Sequence, residues 1–593
     1  MKFAHFCIAV LFVGSCFAQN LQGNWQASVQ EHGLPVRYEL HISKSDRGTT
    51  ATLDAPDNFV FDNPVEKISV ENAGVHFSSG SISYDGSLAS DSQTIQGTWS
   101  VGLESQPVSW RRSASAEVGK LESVATQLSH LAYLPAEKWK IHPGDIPHGE
   151  STGLDDSSWD EVGAGTTAPY DAVWYRRWIE VPKNLNGYDL TGARIWFDFR
   201  YDANGPVTEI IYFNGRRIAM GDELEPVVLF DNARVGDRVL VAVKLLRSVD
   251  QKHFQGARLR IEYTDVRPNP TTLFDELGAV SILAPVSPDS QELKTGLAKS
   301  ADAIDLNALA KADQPAFDKS LNNATSVLET LKPDLQKSSI WLVGNAHIDA
   351  AWLWPWTETV DVVRRTFGST LQLMNEYPQA TYAQSAAAYS EWIVQKYPSM
   401  YQQILERVKE GRWQMVGGMW VEPDLNMPDG ESQVRQLLIG KRYFKDKFGV
   451  DVRIGWNPDS FGYNWQLPQI YKKSGVDYFV TQKMAWNDSN QLPLKTFWWQ
   501  SPDGSRVLTY FPHDYVNEVE PLRMAQDLAT AEALNPGAHE MMHLYGIGDH
   551  GGGVTRAMLD SGVRWTNPDA IFPKASFSLP QAFFSDIEAK ADT

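Results

Sequence analysis

Three short polar segments carry residue types that can do chemistry together. The first reads Gly344-Asn345-Ala346-His347-Ile348-Asp349-Ala350-Ala351-Trp352-Leu353-Trp354. In an extended backbone, residues two apart face the same side, so His347 and Asp349 point together. An imidazole and a carboxylate converging this way suit a divalent cation, most simply zinc. The competing reading, which a bare His-x-Asp favours, is a hydrogen-bonded pair that orders a loop. The second segment is Trp456-Asn457-Pro458-Asp459-Ser460-Phe461-Gly462. There Asp459 either joins the same site or caps a helix. The third is Tyr545-Gly546-Ile547-Gly548-Asp549-His550-Gly551-Gly552-Gly553. It lacks the lysine and spacing of a P-loop. It reads as a close backbone approach to a ligand, with Asp549 or His550 beside it, or as a plain turn. The stretch 413–424 adds aromatic and acidic groups, among them Trp420, Glu422 and Asp424. His539-Glu540-Met541-Met542-His543 fits the letters H-E-x-x-H of a zinc protease. That chemistry needs both imidazoles on one face of a helix. Asn535-Pro536-Gly537 breaks the chain just before, so this match reads as chance.

These segments need elements that bring them to one place. From residue 338 onward, apolar strands alternate with amphipathic helices. Strands are expected near 340–344, 382–384, 413–416, 452–455 and 478–480, and helices near 357–376, 399–410, 431–448 and 466–474. Such alternation predicts a parallel sheet or a βα barrel, with its site at the strand C-termini. The three segments each follow such a strand.

The rest of the chain is multidomain in texture. Its 593 residues correspond to about four domains. The net charge of −20 argues against a nucleic-acid backbone or an anionic membrane as partner. The 21 Trp, 21 Tyr and 25 Phe fill large cores or stack on sugar faces; composition favours the former. Residues 20–113 alternate at period two and are expected to form a small β-barrel or sandwich. A short helix is expected near 116–131. Residues 133–265 form a second β region, with a strand at 174–182, an Asn214-Gly215 hairpin and a strand at 238–243. This region resembles the galactose-binding-like jelly roll appended to many glycosidases. Residues 266–337 read as a helical connector, and 338–593 as the α/β catalytic domain of βα-barrel type.

The N-terminus has a charged start, an apolar run at 3–12 and small residues up to Ala18. It reads as a secretory signal, residues 1–18, which places the protein outside the cell or in a periplasm. Both cysteines, Cys7 and Cys16, lie within it, so the mature chain would have no thiolate chemistry. Val13-Gly14-Ser15-Cys16 also resembles a bacterial lipobox, which would anchor the chain through a lipid on Cys16. No later stretch is apolar enough to span a bilayer.

Four motifs together identify a family. HIDAAWLWP (347–355), GGMWVEPD (417–424), NPDSFG (457–462) and GDHGGG (548–553) resemble, in order and spacing, the catalytic region of α-mannosidases of glycoside hydrolase family 38. The resemblance covers 339–593. It implies a retaining exo-glycosidase acting on α-mannosides, with zinc in the sugar site. It implies that His347 and Asp349 ligate the metal, that Asp459 is third ligand and nucleophile, and that Trp352 floors the sugar subsite. Trp354 is grouped with Trp352 as a substrate contact. Asp549 is the candidate acid/base by its position in the Gly-rich loop. Glu422 and Asp424 are fallback candidates or hydroxyl-binding groups. The family's fourth ligand, a His in a later motif, has no counterpart before Thr593. The sequence therefore reads as the front portion of a longer protein, with His513, His543 or His550 as substitutes for that ligand. Two other readings remain: a non-catalytic carbohydrate-binding protein with an incomplete barrel, and a metal-dependent polysaccharide deacetylase. Linkage specificity, metal identity and assembly into a homo-oligomer stay open.

Overall fold

The computed structural model describes residues 21–591, apart from 32–33, 46–47, 66, 72–73, 102–103, 114–118, 136–137, 169–170, 204–206, 222–223, 247–251, 264–266, 487–491, 493 and 549. Residues 1–18, expected to be a secretory signal and holding Cys7 and Cys16, and the candidate acid Asp549 lie outside the described residues. Two compact units make up the chain: one from 1–29, 35–56 and 62–117, the other from 30–34, 57–61 and 118–593.

The first unit holds a nine-stranded antiparallel sheet. Its order is Val60–Pro64, Gly48–Ala55, Leu34–Ser45, Gly23–Glu31, Glu104–Ser113, Thr94–Val101, Ile82–Leu88, Gly74–Ser79 and Lys67–Glu71. Alternating residues turn one face inward, where Trp25, Tyr38, Leu40, Phe77, Tyr84, Trp99 and Trp110 are buried together. The tyrosine is not wasted in that core, since Tyr84 donates its hydroxyl hydrogen to Val108 O at 3.1 Å. A barrel or sandwich was expected here. The strands form one antiparallel sheet, a half-barrel; Val65 N, just ahead of the edge strand Lys67–Glu71, donates to Ala51 O of Gly48–Ala55 at 2.9 Å. Period-two patterning dictates which side chains face inward, but not which edges join.

The second unit opens with helix Lys120–Ala132 and a pair of facing sheets. One has six strands, in the order Asp160–Val162, Trp139–Pro143, Ala172–Glu180, Arg238–Leu246, Thr208–Phe213 and Arg216–Gly221. The other has four, in the order Thr166–Ala168, Lys252–Glu262, Arg194–Asp202 and Val227–Phe230. Aromatic rings knit the two, with Tyr175 of the first lying 4.9 Å from Phe254 and 5.2 Å from Phe199 of the second. The expected hairpin turn has both central residues left-handed, Asn214 at φ 48° and Gly215 at φ 81°. Helices Pro270–Leu283, Ser290–Ala303 and Gln314–Glu329 follow. Asn269 starts the first by accepting from Thr271 N and Thr272 N ahead of Pro270.

From Ser339 the alternation of strand and helix appears as read, with helices Trp356–Glu376, Pro398–Lys409, Gly430–Phe448 and Leu467–Lys473. The strands fall into two sheets rather than one closed ladder. In the first, Trp413–Met415, Tyr382–Gln384, Ser339–Asn345 and Glu540–Tyr545 run parallel, and Lys574–Phe577 also pairs with Ser339–Asn345. In the second, Ile454–Trp456, Tyr478–Val480 and Arg506–Tyr510 run parallel, with Thr496–Gln500 antiparallel at the edge. Two seams join them. At one, Gly417 N donates to Ile454 O at 2.7 Å. At the other, the Tyr510 hydroxyl accepts from Met542 N at 3.1 Å and donates to Met542 O at 2.9 Å. Beyond it, Asn517 bridges Tyr545. Val343, Val416, Ile454, Val480, Leu508 and Leu544, from both sheets, share one buried cluster with Phe583 and Phe584 of the helix Pro580–Ala591. All C-terminal strand ends of the parallel set open on the same side, which is where the chemistry collects.

Candidate active site

Strand Ser339–Asn345 delivers its two motif residues directly. Asn345 is buried at its end and donates from Nδ2 to Tyr515 O and Tyr545 O, both at 3.3 Å. That ties two strand ends and the loop after Arg506–Tyr510 together. The Gly-rich loop packs on this same segment. A Cβ at Gly546, whose φ is 138°, would lie 2.0 Å from Asn345 O, and one at Gly548 would lie 3.1 Å from His347 Cβ. These glycines make room for protein neighbours.

His347 is buried, and its two nitrogens look in different directions. Nε2 lies 3.2 Å from Asp349 Oδ1 and 3.4 Å from Asp459 Oδ2. Nδ1 lies 3.5 Å from Glu422 Oε2. One ligand atom each from His347, Asp349 and Asp459 falls within 4.8 Å of the others. Asp459 does not cap a helix, since the next one starts at Leu467. Its backbone N donates to Glu422 Oε1 at 2.8 Å, and its Oδ1 takes Lys483 Nζ at 2.6 Å and the Tyr515 hydroxyl at 3.0 Å. Lys483 is buried, with its ammonium 3.6 Å from the centre of the Trp486 ring.

The charges in this cavity are unbalanced. Burial disfavours a proton on His347, but Asp349, Asp459 and Glu422 outweigh it and hold the imidazolium up to about 10. Burial also raises Asp459, yet His347 and Lys483 bring it below the usual carboxylate range. Glu422 is pushed up to about 7 by burial, with His347 opposing and Asp459 and Asp349 adding to the rise. Acceptors that hold a proton so firmly on one imidazole are also a donor set for a cation in its place. One nitrogen and two carboxylates fit a first-row divalent ion such as zinc.

Other sequence candidates sit differently. Trp352 is 59% exposed and meets Trp354 edge to face, with centroids 5.6 Å apart. Trp354 itself is 6% exposed; it donates Nε1 to Thr359 Oγ1 at 3.1 Å and packs 4.2 Å from the His550 ring. It therefore props the loop and does not present a face for substrate. Asp424 accepts from Asn426 N and Met427 N, both at 2.7 Å, which makes it the anchor of an exposed turn. The carboxylate of Glu422 faces inward to His347 and the Asp459 backbone, away from the role of exposed acid or hydroxyl binder. None of the substitute ligands joins the three donors. His550 Nε2 is 3.1 Å from Glu358. His513 and His543 lie 3.5 and 3.8 Å from Asp527. The H-E-x-x-H letters fall on strand Glu540–Tyr545, with His539 turned to Glu532. Lys483 and Tyr515 escaped the sequence reading. Lys483 follows the strand Tyr478–Val480, so the strand-end rule applied to every strand would have found it.

Residues 337–593 match the glycosyl hydrolases family 38 N-terminal domain. All the donors described above lie within this matched stretch. The chain is 36% identical over 278 residues to alpha-mannosidase G of Dictyostelium discoideum, covering 46% of this chain and 25% of that protein. It is 40% identical over 256 residues to alpha-mannosidase 2C1 of Homo sapiens, covering 43% of this chain and 24% of that one. The match thus spans about a quarter of each relative's length. Among solved structures, an alpha-mannosidase from Enterococcus faecalis V583 aligns over 42% of this chain and 29% of its own, at 18% identity and a TM-score of 0.36. Among the described residues, no helix is long and apolar enough to cross a membrane.

Proposed function

We propose that this chain carries the reaction centre of a zinc-dependent, retaining α-mannosidase. The observation that supports it best is the convergence of His347, Asp349 and Asp459 within 4.8 Å, from two distant strand ends of a family 38 domain. In this reading those three residues hold the metal. When bound, zinc supplies Lewis-acid attraction for the 2- and 3-hydroxyls of the terminal sugar, which favours the axial 2-hydroxyl of mannose.

The chain's own residues carry the bond changes. Asp459 attacks the anomeric carbon; the bond from that carbon to the leaving oxygen breaks as the bond to the Asp459 carboxylate forms. Lys483 and Tyr515 fix its Oδ1 and keep it ionised, so the attacking group is preset in one orientation. The departing oxygen takes a proton from a carboxylic acid, for which Asp549 is the proposed donor. Water, relieved of a proton by the same group, then cleaves the glycosyl–Asp459 ester and restores the configuration. Trp352 offers an exposed aromatic face against which a sugar can stack. On the strength of residues 1–18 we also propose that the protein is exported; N-terminal sequencing of the mature chain should begin at Gln19.

The test is hydrolysis of an aryl α-mannoside, followed by NMR of the first sugar released. The expected product is α-mannose, and Asp459→Asn lowers kcat on the order of 10⁴-fold. An initial β-anomer, or an Asp459→Asn chain of undiminished activity, refutes the mechanism. Sugar binding without turnover by the wild type refutes the enzyme.

A further inference from the structure

We infer that Glu422 is a positioning residue that fixes both the metal-binding tautomer of His347 and the backbone beneath Asp459. This deepens the metal-site reading above and rests on it. Glu422 Oε1 accepts from Asp459 N at 2.8 Å and from Ser460 Oγ at 3.3 Å, while Oε2 faces His347 Nδ1 at 3.5 Å. Ser460 Oγ also reaches Pro423 O at 3.0 Å, so the two motif loops are laced at that point.

The partners on the two oxygens are all donors. A backbone N–H and a serine hydroxyl meet one oxygen, and an imidazole nitrogen meets the other. Only a carboxylate accepts at both ends; an amide of the same shape presents N–H groups to one of the two partners. A proton held on Nδ1 by Glu422 leaves Nε2 bare. Nε2 is the nitrogen that faces Asp349 and Asp459, the other two donors. The remote carboxylate thereby selects which ring nitrogen can bind a cation and how the ring is turned, as carboxylate–histidine pairs do behind metal ions. At the same time it anchors the amide of the residue that supplies the third donor. One side chain, 15% exposed and outside the donor set, links ligands from two strand ends. This places it apart from Asp424, two residues on, whose side chain only closes its own turn.

The experiment titrates the metal-free full chain with zinc against a chromophoric chelator, and records the visible spectrum with cobalt(II). Wild type, Glu422→Gln, Glu422→Ala and Asp424→Asn are compared. Both Glu422 variants should bind zinc 10- to 100-fold more weakly and show a changed cobalt spectrum. Asp424→Asn should match the wild type in both. Glu422→Gln should remain as weak as Glu422→Ala, since its amide reverses one contact. Unchanged affinity and spectrum in the Glu422 variants overturn the inference alone. A Glu422→Gln chain that is unfolded by circular dichroism also overturns it, because the residue would then support the fold rather than the donors. A wild-type chain that takes up no zinc removes the metal-site reading, and this inference with it.

Discussion

Two buried clusters of histidine and acid lie in the same domain, and they have opposite characters. Around His347 stand three carboxylates, Asp349, Glu422 and Asp459, with Lys483 as the second positive group. Around Asp527 stand Arg523, with Nε at 3.1 Å, and the imidazoles of His513 and His543, with Lys495 contributing from further off. His543 spends its Nε2–H on Glu518 O at 2.9 Å. The first cluster has surplus acceptors directed at one point, so it attracts a cation. The second already contains its cations, and its acid is shared among fixed protein partners. Titration reflects the contrast. His347 holds its proton to about 10, whereas burial, opposed by the bond to Glu518 O and aided by Arg523, drives His543 down to about 4. Residue types alone do not make a site; the ratio of acceptors to donors and the direction they face decide it.

Exchanging the acid in each cluster should separate them most sharply. Asp459→Asn is expected to lower turnover by the factor given above and to weaken zinc binding, since it removes one of the three donors. Asp527→Ala deprives the buried Lys495 and the part-exposed Arg523 of their acid, and should cost about 1–3 kcal/mol of stability with zinc affinity unchanged. If Asp527→Ala loses zinc instead, the two clusters are one. Removing metal comes next in size. Zinc at about 100 times its Kd stabilises the fold by roughly 3 kcal/mol, read as a drop in Tm on chelation. That drop should persist in His543→Phe, which has no part in the metal centre.

The subtlest effect is in pH dependence. His543, depressed in the fold to about 4, binds its proton more readily when unfolded; it makes stability rise with pH between about 4 and 6.5. Asp527 is raised to about 7, by burial first, against Arg523 and Lys495; it makes stability fall between about 4 and 7. The two slopes oppose each other in the wild type. Relative to the wild type, His543→Phe should tilt the profile downward with pH and Asp527→Asn upward, each by roughly 1.4 kcal/mol per pH unit at most. Denaturation midpoints from pH 4 to 7 check the signs; the same slope in both variants would end the account.

Much of the arrangement could be read before any coordinates. Strand-end placement, plus the two-residue spacing of His347 and Asp349, was enough to locate the metal candidates on one side of a sheet. The four helices expected near 357–376, 399–410, 431–448 and 466–474 agreed with their bounds to within a few residues, since their apolar periodicity is local; Ala387–Lys396, Pro521–Leu534 and Arg556–Trp565 were not foreseen. What escaped depends on distant backbone. Whether a carboxylate such as Glu422 turns inward or, like Asp424, folds back on its own turn depends on which N–H groups stand nearby. For Glu422 that N–H belongs to Asp459. Trp354 looked like a sugar platform beside Trp352, but Thr359 and His550 claim it. Lys483 had only its place after a strand end as a signal, and its partner Asp459 follows another strand. The seams of the βα-barrel-type domain were not legible, because no alternation pattern encodes which strand edges meet.

One seam has a consequence for which replacements the chain can accept. Along the sheets, strands grip each other by main chain, and almost any side chain leaves that grip intact. At Met542 both the amide and the carbonyl depend on the phenol of Tyr510. A single oxygen atom does there what a whole peptide unit does elsewhere, so Tyr510→Phe would strand two buried backbone groups by deleting one atom. Position 510 is thus as intolerant of change as a reacting group, with no part in any reaction.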